Sequence, residues 1–437
     1  MNPSINGLVN LQRIGYTQTN VFKIGLFLLG ISSMFYINVI GQLYISEIIF
    51  AFIFPILLAR SRNSLKNVWA NRILVFGYLW LLSQIITDLI RGSSLVDLAR
   101  GWASIIFFLL SFFSLYILLA RDLSRIKIYI FGVCIGGLFK PFLQPGSYFE
   151  SEPWKFGFGP ILTLLALLVI VSSQKGNIQK LNWWFFPLIC LSGLSFYLNA
   201  RSIGAFTFLT AILMILSKTK LATRFFKKSI RPGKVIFLVL LFIGLLFGVI
   251  KTYGLVVEKG WFGETARIKY EIQSSGVFGL IIGGRIEIFG SLPAIINSPI
   301  IGYGSWAKDP QYRLYYYKLL NMGYNFSFDQ LKYDIGVSDL IPAHSHLFQN
   351  WIWAGLLGAA FWVMISWLIL KSLFSSIRTL NPLFVLVIYF ALLSGWDILF
   401  SPFGSSMRLD WALRLVVFIT ALTYQKRTDK IVSFKTT

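Results

Sequence analysis

The sequence predicts an all-α polytopic membrane protein, with about twelve transmembrane helices and one long periplasmic loop between spans nine and ten. Three observations predict it. The 437-residue chain is 56% hydrophobic and only 13% charged, with mean hydropathy +0.70, too apolar for a soluble domain of this length. Apolar runs close to the ~20 residues that a helix needs to cross a bilayer recur from end to end. The basic residues gather in alternate connections, as the positive-inside rule requires.

The apolar runs are 22–41, 43–59, 73–90, 102–120, 128–143, 159–173, 182–198, 203–217, 235–254, 345–370, 382–400 and 410–425. A polar stretch, Met1 to Asn20, precedes them. No small-residue cleavage motif follows the first run, which therefore reads as a retained helix. With a cytoplasmic N-terminus, the even-numbered connections hold Arg60, Arg62, Lys66 and Arg72; Arg121, Arg125 and Lys127; Lys175 and Lys180; Lys218 through Lys234; and Lys371 and Arg378. The C-terminus, also cytoplasmic, adds Lys426, Arg427, Lys430 and Lys435. The net charge of +23 thus sets topology and meets anionic headgroups, and its distribution argues against a nucleic-acid partner. Cys134 and Cys190 lie within spans and read as small apolar fillers.

The whole chain, 1–437, reads as a single integral membrane domain whose one long connection is 255–343. That segment carries eight Lys/Arg and eight Asp/Glu and is neutral. Within it, 285–298 predicts a short amphipathic helix that ends before Pro299, and Gly302-Tyr303-Gly304 predicts a turn. Residues 306–340 are polar and aromatic, with Tyr312 and Tyr315 to Tyr317 suited to an interfacial belt or to stacking on sugars.

Few outer-face residues are suited to chemistry. Both histidines of the chain, His344 and His346, lie where the polar segment meets an apolar run. Histidine transfers protons near neutral pH, but i, i+2 spacing points the two rings different ways, so one chemical histidine is expected. Arg201 sits in a connection of about four residues on the face that should lack cations. It suits an anion clamp, or a snorkel to lipid phosphate. Arg285 begins the predicted amphipathic helix, as an anion ligand or as an ordinary solvated arginine. Arg100 is expected at the head of a helix, where a cation opposes the dipole and calls for a compensating anion. Asp97, Asp397, Arg408 and Asp410 rank lower, and Arg414 is expected to face the bundle interior. Two histidines without flanking acids make a metal site of His/Cys type unfavourable.

Three blocks of sequence carry a resemblance. They are Arg201-Ser202-Ile203-Gly204-Ala205; Gly284-Arg285 and Phe289 with Ser298-Pro299-Ile300-Ile301-Gly302-Tyr303-Gly304; and Ala343-His344-Ser345, Gln349 and Gly355-Leu356-Leu357-Gly358. In order and spacing they resemble the O-antigen ligase/polymerase superfamily, the Wzy-type polysaccharide polymerases and lipid A–core O-antigen ligases. The motifs cover roughly 195–360, and the topology covers the whole chain. The family histidine precedes the glycine by eleven positions, which selects His344 over His346. Ser345 departs from the usual Asn, and Trp353 stands where an acid is frequent.

The resemblance implies a GT-C-like enzyme of a bacterial inner membrane with a periplasmic active site and no cofactor. An undecaprenyl-diphosphate-linked oligosaccharide would be the donor. The acceptor would be a sugar hydroxyl on a second lipid-linked repeat or on lipid A–core. Arg201 and Arg285 would bind the diphosphate in place of a metal, and His344 would be the general base of an inverting transfer. His346 and Arg100 would be supporting residues, and a chain-length regulator protein a partner. The reading that stands against it from another class is a transporter or flippase of the same glycans, which twelve spans also suit.

Overall fold

The computed structural model describes residues 20–39, 41–59, 61, 66–120, 122–173, 183–217, 287–324 and 339–436, with scattered residues between 219 and 271. It is 80% helical, and the two strands that pair form one hairpin, so the fold is all-α. The helices are α1 (Asn20–Ser32), α2 (Ile45–Ala59), α3 (Val68–Arg91), α4 (Leu95–Leu119), α5 (Leu123–Leu143) and the short α6 (Ser147–Ser151). A π-turn at Trp154–Phe158 runs into α7 (Gly159–Ser173), followed by α8 (Phe186–Tyr197) and α9 (Arg201–Leu216). Then come α10 (Glu287–Asn297), α11 (Pro310–Tyr324), α12 (His346–Thr379), α13 (Phe384–Phe400) and α14 (Met407–Thr436). Among the described residues, five helices are long and apolar enough to cross a membrane: α3, α4, α5, Trp154–Ser173 and α12. Shorter apolar helices fill the other runs, except that 410–425 lies within the 30-residue α14 and 235–254 falls almost wholly outside the described residues.

Local signals set the helix ends. Asn67 caps α3 by accepting from the Trp69 and Ala70 amides, and Gly92 closes it in the left-handed conformation. Ser94 caps α4, and Asp122 caps α5. The expectation of one helix over 22–41 is corrected. Ser32 and Ser33 turn their hydroxyls back onto the Leu29 and Gly30 carbonyls at 2.9 and 2.6 Å as the helix ends. The chain then forms an antiparallel hairpin, β1 (Tyr36–Asn38) with β2 (Gln42–Tyr44). The Gln144 amide pairs with both backbone groups of Tyr36, tying the end of α5 to that hairpin.

Alternate connections gather at one end of the bundle. Arg408 and Ser405 bond Gln42 in the hairpin, Trp154 reaches Ser195, Lys308 pairs with Asp97, and Ser345 bonds the Ile398 carbonyl. These links join the connections that the charge pattern places together on one side. In the interior, Trp80 of α3, Phe108 of α4 and Phe361 and Trp362 of α12 pack with Phe403, with ring centroids 5.0–6.3 Å apart.

One break governs the centre. Within α12, Gly355 adopts φ 65° and ψ −153°, a conformation close to glycine-only. The segment 300–304 docks there. The Tyr303 and Gly304 amides donate to the Ile352 and Trp353 carbonyls (2.6 and 3.1 Å), and the Leu356 amide donates to the Ile300 carbonyl (3.1 Å). From α3, Gln84 also donates to Trp353 O (3.3 Å) and Ser83 to Ala354 O (2.7 Å). The carbonyls freed by the break are therefore met by protein.

A Cβ at Gly355 would fall inside the contact distance of the Ile300 carbonyl, and an L-residue would be strained there in any case. Gly355→Ala is expected to destabilise the protein by about 1–3 kcal/mol, as strained backbone positions do. Thermal unfolding of the purified protein in detergent measures it, and a melting temperature equal to that of the parent would refute the interlock.

Candidate functional site

The end of the bundle where alternate connections gather is built on buried carboxylates. Asp88, 1% exposed near the end of α3, accepts from five neutral donors. They are Gln84 Nε2 (3.3 Å), Ser93 Oγ (2.7 Å), Trp102 Nε1 (2.8 Å), and the amide and hydroxyl of Ser305 (2.6 and 2.7 Å). A buried carboxylate is tolerated only when its lone pairs are filled in this way. Arg91, three residues on, donates to the Gly302 carbonyl (2.9 Å) and Ser298 Oγ (2.8 Å) and lies over the Tyr303 ring. Together these bonds hold the Ser298–Gly304 motif in the break of α12, so two of the three sequence blocks meet in space. The predicted helix before Pro299 is α10, and Gly302 and Gly304 have φ 84° and 90°, as a turn requires.

His344 is half-buried, in the extended segment ahead of α12. That segment is fixed on both sides. Ser291 of α10 donates to the Pro342 carbonyl at 2.5 Å, and Ser345 donates to the Ile398 carbonyl while capping α12 through the Phe348 amide. His346 begins α12 and is wholly buried. Its Nδ1–H donates to the Ser401 carbonyl at 2.5 Å, and its Nε2 accepts from Trp411 Nε1 at 2.7 Å. The rings of Trp362, Phe403 and Trp411 enclose it. With both nitrogens engaged in one tautomer, His346 is a packing and hydrogen-bonding residue.

Arg201 is the first residue of α9, half-buried, after Asn199 at φ 61° and a cap, Ala200, without a side-chain acceptor. One turn and a half later, Phe206 meets Trp396 of α13 at 5.6 Å. Ile398, which holds Ser345, lies two residues beyond Trp396. The first turns of α9 and the segment ahead of α12 therefore both contact the last turns of α13. Arg285 lies outside the described residues.

Other expectations are corrected. Arg100 does not head a helix: Ser94 is the cap, so Arg100 sits in the second turn, exposed. Its anion is Asp97, one turn back, which also pairs with Lys308 at 3.1 Å. Tyr312 and Tyr317 form neither a belt nor a stacking surface, being 4% and 2% exposed. Asn297 donates to the Tyr312 hydroxyl and Arg313 to that of Tyr317, which explains why polar-tipped rings are buried there. Burial, then the Tyr312 hydroxyl at 2.7 Å, holds the Tyr303 phenol above its ordinary pKa.

The low-ranked charges form the strongest ionic contacts. Arg408 pairs with Glu47 of α2 at 2.7 Å through two nitrogens, with both side chains buried. Arg414 faces the interior as expected and joins Asp397 of α13 (2.7 Å) to Asp410. Asp397 in turn accepts from the Ser401 hydroxyl, whose residue supplies the carbonyl that meets His346. Glu47 and Asp88 are not among the residues singled out from the sequence, although each is a lone acid in an apolar run, the signal that could have found them. Among the described residues no group of three or more His, Cys, Asp or Glu is placed to hold a metal ion.

No protein-family model matches this chain, and no curated protein matches it either.

Removing one partner of a buried pair strands the other charge. Arg408→Met is expected to cost about 3–5 kcal/mol. Adding Glu47→Gln should recover part of that loss. The melting temperatures of the two variants test the pair, and equal melting of Arg408→Met and parent protein would refute it.

Proposed function

We propose that this membrane protein is a glycosyltransferase that passes an undecaprenyl-diphosphate-linked glycan to a sugar hydroxyl. The reading rests on the three sequence blocks. The observation that favours it most is that Phe206, on the helix that Arg201 begins, and Ser345, next to His344, both contact the last turns of α13. In this reading the His344 imidazole takes the proton of the acceptor hydroxyl. The acceptor oxygen attacks the anomeric carbon, and the bond to the diphosphate breaks with its electron pair leaving on the phosphate oxygen. Attack from the opposite face inverts the anomeric centre.

A general base of this kind is typically worth ~10²–10⁴-fold. Arg201, with Arg285, meets the charge that develops on the leaving diphosphate, the kind of preorganised electrostatic help that lowers barriers most. The choice of His344 over His346 is supported by hydrogen bonding, because both nitrogens of His346 are already engaged. The setting in this reading is a bacterial inner membrane, with both termini cytoplasmic, the site periplasmic and a chain-length regulator as a partner. Polymerisation of repeat units is the first form of the activity, and ligation to lipid A–core the alternative.

The break in α12 favours a second reading, because transporters bind substrate at discontinuous helices. Against it, the Ile352, Trp353 and Ala354 carbonyls are filled by the docked segment and by α3, leaving them engaged with protein in place of cargo.

The experiment is transfer by the purified protein in lipid, supplied with the undecaprenyl-diphosphate repeat unit of its own organism. A ladder of longer glycans is expected from the parent protein. His344→Ala is expected to lose roughly 10²-fold or more in rate, and Arg201→Ala is expected to lose the ladder with melting temperature unchanged. Product only after lipid A–core is added would make the protein a ligase. Product at the parent rate from His344→Ala would remove the base assignment, and no product with either acceptor would turn the question to transport.

A further inference from the structure

The end of the bundle opposite the candidate site holds two cations on one indole. Arg72 lies over the Trp69 ring with its Cζ 5.1 Å from the centroid, and Lys371 lies over the same ring at 5.3 Å. Lys371 also sits 5.2 Å from the Trp367 centroid, one turn earlier on α12. Neither cation has a carboxylate partner among the described residues, and the connections 59–72 and 371–381 contain no Asp or Glu at all. Two like charges drawn to one aromatic ring without an acid between them leave a site of positive potential. Cation–π contact accounts for where each cation sits but does not neutralise it.

The surface running away from these cations is apolar. On α3, Val75, Leu82 and Ile86 follow Arg72 on one face and are 48%, 40% and 46% exposed. On α12, Trp367 and Val363 precede Lys371 at successive four-residue steps and are 41% and 60% exposed. The helices run antiparallel and pack together, so both rows lead from the cations toward mid-helix. From Arg72 to Ile86 the row covers roughly 21 Å at about 1.5 Å per residue. That exceeds the ~15 Å half-thickness of a bilayer core.

We propose that this face of α3 and α12 binds an anionic glycerophospholipid in the inner leaflet. Its phosphodiester lies between Arg72 and Lys371 at Trp69, and its acyl chains lie along the Val75–Ile86 and Trp367–Val363 rows. The length of the apolar rows favours a whole lipid over a free phosphate. The charge argues against a second copy of the chain as the occupant, since a two-fold contact would set this cation pair against itself.

The test is native mass spectrometry of the full chain in detergent with equal concentrations of phosphatidylglycerol and phosphatidylcholine. The parent protein is expected to retain phosphatidylglycerol first. Retention should fall roughly tenfold or more in Arg72→Gln/Lys371→Gln, as loss of two basic side chains at an anionic headgroup implies, while Arg72→Lys keeps most of it. Lys175→Gln/Lys180→Gln removes as much charge from another connection and should leave retention unchanged. Equal retention of the two lipids by the parent protein overturns the proposal, and that comparison needs no variant to fold. So does an equal loss in both double variants, which would reduce the effect to general charge. Displacement of the lipid by millimolar inorganic phosphate would assign a free-anion site and overturn the lipid reading.

Discussion

The carboxylate of Asp88 and its five donors decide how the centre of this protein is built. Three elements meet at that one buried charge: the end of α3, the first turns of α4 through Trp102, and the Ser298–Ser305 segment through Ser305. A carboxylate in an apolar bundle is costly unless fully hydrogen-bonded, so each donor lost leaves the charge less well solvated. The result is a rigid link between a connection and the helices beneath it. With Ser305 fixed, the preceding residues are held against α12, and their amides take the place of the helical hydrogen bonds that Gly355 breaks.

The same economy of buried polar groups appears at the neighbouring connections. Glu47 with Arg408 joins α2 to the start of α14, and Asp397, Arg414 and Asp410 join α13 to α14. Buried ion pairs add little net stability over an apolar core, because the desolvation cost is large. Their effect is on geometry: an ion pair in a low-dielectric interior is satisfied at few arrangements, so it fixes how these ends of the helices sit. His346 belongs to this framework. Its ring, held between the Ser401 carbonyl and the Trp411 indole, positions the first turn of α12 and with it the short segment that carries His344.

The two ends of the bundle then differ in kind. At the end of the candidate site, Glu47 with Arg408 and Asp397 with Arg414 are paired and buried, and Arg201 and His344 take half-buried positions. At the opposite end, the partners that Arg72 and Lys371 have among the described residues are aromatic faces. A polyprenyl diphosphate on one side and a phospholipid on the other would both be met by arginine or lysine. The neighbours differ, with a fixed hydrogen-bonded frame in the first case and exposed apolar rows in the second.

The sequence by itself determined the helical class, the order of apolar runs and the alternation of basic connections, because hydropathy and charge act locally and need no partner. It also marked the short helix before Pro299 and the Gly302–Gly304 turn, where proline and glycine restrict the backbone directly. Tertiary structure decided the rest. The run 345–370 reads as one continuous helix, and only the docked segment 300–304 makes a break at Gly355 affordable. Tyr312 and Tyr317 read as surface aromatics, and only the partners brought by Asn297 and Arg313 let them be buried. The i, i+2 spacing separated the two histidines but left open which one is buried in the frame of the bundle. Ser401 and Trp411, more than fifty residues away in the chain, engage both nitrogens of His346.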